Sequence, residues 1–225
     1  MSVKNRNSIV TDGLVFYVDA GNEDSYAGSG GTWSDLAGAN DGTLTNGPTF
    51  DSGNGGSIVF DGVDDYVDCG GNNLFSGNTS FSLSGWLNVK THSNYGLALY
   101  IGNAASKQSA WIGWCNVAQT GTSQTIGGGL YGTNLGSGVE ENTGWHNITL
   151  TYDASFLKLY INGSLTNSRS ESSANISSSS IRLGRSNTGI AYHYNGDSSS
   201  LSIYNRALSA DEITQNYNAL KNRFI

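Results

Sequence analysis

The stretch WHNITLTYDASFLKLYING, Trp145 to Gly163, decides the fold. His146, Ile148, Leu150 and Tyr152 alternate with Asn147, Thr149 and Thr151, and a period of two sends the two sets to opposite faces of an extended strand. The first set is expected to enter a core and the second to face water, as in an antiparallel sheet with one wet side. Asp153-Ala154-Ser155 supplies a hairpin turn and Phe156 to Ile161 the returning arm; Asn162-Gly163 makes a further turn, because both residues accept positive φ.

Outward from this hairpin the strand signature recurs in residues 80–90, 96–103, 109–117, 124–132, 181–186 and 200–208, and GLVFYVDA, residues 13–20, reads as a buried strand near the N-terminus. Gly, Asn, Asp and Ser dominate residues 21–56, read as a long ordered loop in which Trp33, Leu36, Leu44 and Phe50 anchor to the core. The Ser-rich residues 168–180 are expected to form a solvated loop. The period then changes. Ser209 with Glu212 forms a capping box, Leu208 and Ile213 a hydrophobic staple, and Ile213, Tyr217, Leu220 and Phe224 recur at helical spacing, with Lys221 and Arg223 at the negative end of the dipole.

Strands that each carry one apolar face must cover one another. The chain is therefore expected to form one all-β domain over residues 1–225, two antiparallel sheets packed as a jelly-roll β-sandwich and closed by a short C-terminal α-helix. With 31 Gly, one Pro and 13% charged residues, the composition suits many turns and a weakly charged polar surface. A net charge of −7 argues against a nucleic-acid partner, which needs a concentrated basic face. No apolar run is long enough to insert in a membrane, and Asp12-Gly13 interrupts the first one, so no signal-peptide core is expected. Cys69 and Cys115 form no zinc motif, and their spacing leaves open whether they pair.

Two kinds of chemistry are carried by the residues. FDGVDDYV, residues 60–67, reads as a hairpin turn in which Phe60 and one of Tyr66 or Val67 enter the core and the aspartates stay solvated. Ca²⁺ is the competing reading, since Asp61, Asp64, Asp153 and Asp197 all fall at expected turns and calcium takes hard oxygen ligands. Sugar binding is the second: aromatic faces stack on the apolar face of a pyranose while amides and backbone groups take its hydroxyls. The candidates are Tyr95, Trp111, Trp114, Tyr131, Tyr192 and Tyr194, with residues 191–197, AYHYNGD, as the best single loop. Trp86, Trp145 and one of Trp111 or Trp114 are expected in the core, because residues i and i+3 of a strand do not share a face.

The blocks GLVFYVDAGNEDSYAGSGGTWSDLAG (13–38), GGSIVFDGVDDYV (55–67), WHNITLTYD (145–153), LKLYING (157–163) and SIYNRALSADEI (202–213) resemble, in this order, laminin-G-like modules of the concanavalin A-like lectin/glucanase superfamily. The first block and the C-terminal end look most like the subset found in structural proteins of tailed bacteriophages, although Ala27 stands where that subset often has Pro. The resemblance implies a sandwich that binds glycans, takes Ca²⁺ in some members, or serves as architecture. It points to a virion structural protein (capsid decoration, fibre or tail component) at the virion surface, whose partners are other virion proteins, cell-surface glycans or further copies of itself. Particle release by lysis would need no secretion signal. The alternative is a secreted or cell-surface carbohydrate-binding module.

An enzyme is the least favoured reading. Retaining glucanases of this superfamily carry E-x-D-x-x-E, which sets two carboxylates about 5 Å apart. Here the glutamates are Glu23, Glu140, Glu141, Glu171 and Glu212, none in that pattern, and the adjacent Glu140 and Glu141 would point oppositely on a strand. His92, His146 and His193 have neither a G-x-S-x-G elbow to serve nor metal-ligand spacing.

Overall fold

The computed structural model describes residues 8–71, 74–91, 94–115, 125–177 and 180–225. Numbered in chain order, the first sheet runs β15 (Ser164–Ser170), β14 (Phe156–Ile161), β13 (Trp145–Tyr152), β8 (Phe81–Val89), β18 (Asn195–Tyr204), β5 (Ser57–Asp61) and β4 (Thr49–Asp51), and β1 (Leu14–Asp19) also pairs with β18. The second runs β12 (Thr133–Gly136), β11 (Thr125–Leu130), β10 (Ser109–Cys115), β9 (Gly96–Gly102), β17 (Ile181–Leu183), β6 (Tyr66–Asp68), β3 (Gly42–Thr45) and β2 (Thr32–Trp33). A small ladder joins β7 (Ser76–Gly77) to β16 (Ile176–Ser177). All pairings are antiparallel, so the sandwich and its closing helix are as the sequence leads one to expect.

The quoted hairpin forms in register, Ile148 opposite Ile161 and Tyr152 opposite Leu157, with Ala154 at φ 68° and Asn162 at φ 51° in its turns. Ile148, Leu150 and Tyr152 join Leu83, Leu201 and Ile203 on the inner face of the first sheet, against Leu99, Ile112, Trp114 and Leu183 from the second. Each such side chain contributes about 1.5–3 kcal/mol by leaving water.

The other set is not wet. Asn147, Thr149 and Thr151 are buried, as are Ser84, Ser200 and Ser202 beside them, because the C-terminal segment lies over the outer face of this sheet. The helix α1 (Ala210–Leu220) begins with the expected capping box, and Leu208 packs with buried Ile213. Its Asn216 accepts from the backbone N of Val10 at 2.8 Å and donates to the Tyr204 hydroxyl at 3.0 Å. Beyond it, Arg223 grips both oxygens of Asp19 at 2.9 and 2.8 Å. Trp86 is buried as expected, but beneath this segment rather than between the sheets: its ring stacks on Tyr217 (5.6 Å) and Phe224 (4.3 Å), and half-buried Trp145 also meets Phe224.

Residues 21–56 are more regular than a loop, since they contain β2, β3 and β4. Trp33 is fully buried, Leu44 and Phe50 pack on the core, and Leu36 instead stays exposed. Of the Ser-rich stretch, residues 168–177 are only partly solvated. β15 continues to Ser170, and Glu171, Ala174 and Ile176 are buried, with the Glu171 carboxylate held by Lys107 and Ser173. Cys69 and Cys115 are both free: Cys69 belongs to the inter-sheet core and Cys115 to a separate cluster on the outer face of the second sheet.

FDGVDDYV is a turn, but not of a hairpin. β5 lies in the first sheet and β6 in the second, so residues 61–65 arch across the sandwich. Both turns need positive φ, here Gly62 at 77°, and that shared demand hides the difference in sequence. Phe60 and Val67 enter the core as expected. Asp61 Oδ1 accepts from the backbone N of Val63 at 2.8 Å and Asp64 at 3.4 Å, while Asp65 Oδ2 accepts from the backbone N of Asp61 at 3.0 Å. Asp65 is buried, against the expectation of solvated aspartates, and burial raises the pKa of its carboxyl.

Asp61→Ala removes the acceptor for the arch's own N–H groups and is expected to lower stability by about 1 kcal/mol; urea melts should give the same loss in calcium and in chelator. Glu212 makes two bonds to Arg206, which, with the Ser209 cap, hold its pKa at about 2 against an ordinary 4.5. A depressed carboxylate stabilises the fold above its unfolded pKa and stops doing so as pH falls through the folded one. The melting temperature should therefore decline between about pH 5 and 2, and Glu212→Gln should flatten part of that decline.

Candidate functional site

Antiparallel register places a row of residues across the outer face of the second sheet. Trp111 stands between Tyr100 on β9 and Gly129 on β11, and Asn134 on β12 lies beyond Gly129. On the other side Tyr100 is opposite Arg182, and Arg182 is opposite Asp68. The glycine is required by space: a Cβ at Gly129 would lie 2.2 Å from the Thr133 carbonyl oxygen. β11 therefore puts no side chain between Trp111 and Asn134.

Tyr95, just before β9, reaches over this row. Its ring meets Trp111 edge to face at 6.0 Å and 86°, and Asn134 Nδ2 donates to its hydroxyl at 2.7 Å. Tyr192, just before β18, sets its ring 5.0 Å from Tyr95 at 49°. The buried Ser186 hydroxyl accepts from the backbone N of Tyr192 at 2.9 Å and pins that segment. Leu97, Tyr100, Trp111 and Cys115 form the apolar floor, with Tyr95 and Tyr192 half-buried above them. Burial raises the pKa of the Tyr95 hydroxyl and pushes the Cys115 thiol up to about 12, so both stay neutral.

Three of the six aromatic candidates thus come together: Tyr95 and Tyr192 as a two-facet platform, and Trp111 as its support. Trp114 faces the inter-sheet core, as the i and i+3 rule requires of one of the pair. Tyr194 is fully buried, with its ring edge on Phe60, so only the first tyrosine of AYHYNGD faces outward and Asn195 to Asp197 belong to β18. Tyr131 is exposed, in the tight turn between β11 and β12, and outside the cluster. Asn134 is the contributor that sequence reading missed. Only the β11–β12 register, with Gly129 opposite Asn134, would have revealed it.

The four metal candidates do not converge. Asp61 and Asp64 meet Asp65, each offering a carboxylate oxygen, all within 4.8 Å of one another. Asp153 lies in the β13–β14 turn, bonded to the backbone N of Ser155 and Phe156 and to Lys158. Asp197 is a strand residue, not a turn residue, and its carboxylate takes Asn88 and Lys90. The triad could receive a cation, yet Asp61 Oδ1 and Asp65 Oδ2 already hold the arch, and Ca²⁺ wants six to eight oxygens. Glu140 and Glu141 lie in the segment joining β12 to β13, and His92 lies outside the described residues. A cavity of about 20 Å³ under α1, lined by Ser84, Asn147, Ser202 and Asn216, admits a water and no sugar ring.

No helix among the described residues is long and apolar enough to cross a membrane. None of the curated proteins compared with the chain matches it. Solved structures do. Domain 4 of AbnA, a GH43 extracellular arabinanase from Geobacillus stearothermophilus, in complex with arabinotriose, superposes with a TM-score of 0.67 at 17% identity, over 91% of this chain and 98% of that one. Trypanosoma rangeli sialidase follows at 0.63 and 16%, over 94% of this chain and 33% of the sialidase, so the chain spans about a third of that enzyme. The binding domain of Paraclostridial Mosquitocidal Protein 1 gives 0.61 and 18%, over 93% and 52%. At these identities the likeness shows the fold alone. The family model of the concanavalin A-like lectin/glucanases superfamily, in its Laminin_G_3 form, matches residues 61–214, most of both sheets, and the chain belongs to that family.

Proposed function

We propose that the chain is a single non-catalytic glycan-binding domain whose ligand rests on the Tyr95–Tyr192 platform. The platform itself carries the reading: two partly exposed rings at 5.0 Å, braced from below by Trp111 and tied by Asn134, offer apolar facets beside amide and hydroxyl groups, which is what a sugar ring demands. The family is one of lectin-like folds, and the similar arabinanase domain is described with an oligosaccharide. Three kinds of engagement support the non-catalytic reading: Glu171 is bound by Lys107 and Ser173, Glu212 by Arg206, and Asp61 and Asp65 of the arch by its own backbone. The likeness of residues 13–38 and the C-terminal end to phage structural proteins supports a finer reading. In it the domain sits on a virion surface, docked to virion neighbours or to copies of itself, and displays the platform outward; mass spectrometry of purified particles, finding it in stoichiometric amount or not, decides that point.

On an array of oligosaccharides the protein should bind at least one class and release no reducing ends. Tyr192→Ala should weaken that binding about tenfold, or about 1.4 kcal/mol, whereas Tyr131→Ala, exposed but off the platform, should leave it unchanged. Hydrolysis that Asp64→Asn or Glu140→Gln abolished would replace this reading with an enzymatic one.

A further inference from the structure

We infer that the platform selects neutral glycans and discriminates against carboxylated and sulfated ones, an inference that rests on the glycan-binding reading above. An anionic sugar is held by a cation free to form charge-assisted bonds, above all an arginine fork. The cation in the platform's own row is Arg182, and its charge is already paired: its Nη1 is bound to Asp68, directly opposite it, and donates to the Ile181 carbonyl at 3.2 Å. Its neighbour Arg185 sits over the Tyr66 ring, 4.5 Å from its centroid, and donates to the Ser186 carbonyl. In the β9–β10 loop of this sheet Lys107 is engaged by Glu171, and at the end of β8 in the other sheet Lys90 is engaged by Asp197. Arg169 is exposed on β15, the edge strand of the other sheet, away from the platform.

Turning Arg182 toward a ligand carboxylate would strand Asp68 beside that same negative group, so the exchange gains no net ion pair. The chain's charge of −7 adds a repulsive field that any anion meets on approach. A neutral sugar incurs neither penalty. The tyrosine faces take its C–H surface, and the Asn134 amide and the tyrosine hydroxyls meet its hydroxyl groups, uncharged partners on both sides.

The test uses matched probes: one oligosaccharide in neutral, sialylated and sulfated forms, titrated against the full chain at low and at physiological salt. The neutral form should bind at least tenfold more tightly than either anion, with an affinity indifferent to salt, and the gap should narrow as salt screens the repulsion. Asp68→Ala, which frees Arg182, should raise affinity for the anionic forms several-fold and leave the neutral one unmoved. Preference for an anionic form, lost in Tyr192→Ala, would overturn the inference while sparing the platform. No binding of any form, or neutral binding indifferent to Tyr192→Ala, would overturn the platform and the inference with it.

Discussion

The ion pair between Asp19 and Arg223 holds the C-terminal segment over the outer face of the first sheet. Asp19 ends the first strand and Arg223 follows the C-terminal helix, so Nη1 of Arg223, bound to both Asp19 oxygens, ties these distant segments across the outer face of the first sheet. Arg223 also reaches the Gly55 carbonyl and the Ser199 hydroxyl, and Tyr17 donates to Asp19 from its other side. Such a pair adds little net stability, because desolvation offsets attraction, but removing one partner leaves a buried charge alone. Its contribution is therefore to closure: it fixes where the segment lies.

Closure has a direct consequence for the first sheet. Its outer rows are hydroxyl-rich, with Ser84 bonded to Thr149 at 2.8 Å and Ser82 bonded to the chain at Arg206 and Leu208. Polar rows can be buried only when each group finds a partner, and the helix and its approach supply several of them. With that face occupied, the Tyr95–Tyr192 cluster lies on the opposite side of the sandwich, over the second sheet. Even there, Trp111 is only 4% exposed, so it can brace Tyr95 but cannot itself stack on a sugar.

The sheets were legible in the sequence because a two-residue period is a local property: the run from His146 to Tyr152 and the Asn162-Gly163 turn contain their own evidence. So was the helix start, since a capping box needs only Ser209 and Glu212. What could not be read depends on pairings between distant residues. An Asp-Gly turn looks alike whether it links strands of one sheet or of two, so the 61–65 arch resembled a hairpin. Thr149 and Thr151 alternate as wet residues do, and nothing local reveals that a segment some sixty positions on will cover them. At the site, composition could nominate Tyr95, Trp111 and Tyr192, but Tyr194 has the same chemistry and lies in the core, and Asn134 becomes interesting only once β12 lies beside β11.

The extent of the family match separates two layers of this design. The matched residues, 61–214, begin at the arch and include Tyr95, Trp111, Asn134 and Tyr192, the whole platform with its support. Both members of the closing ion pair, Asp19 and Arg223, fall outside, as do Val10, Asn216 and Phe224. The recurring part of the fold thus builds the second sheet's outer face, while the flanking segments seal the first sheet's. A sandwich needs both faces of its inner core covered by its own sheets, but an outer face may be left wet, covered, or offered to a ligand. The flanking segments cover the outer face of the first sheet and leave that of the second to the aromatic cluster.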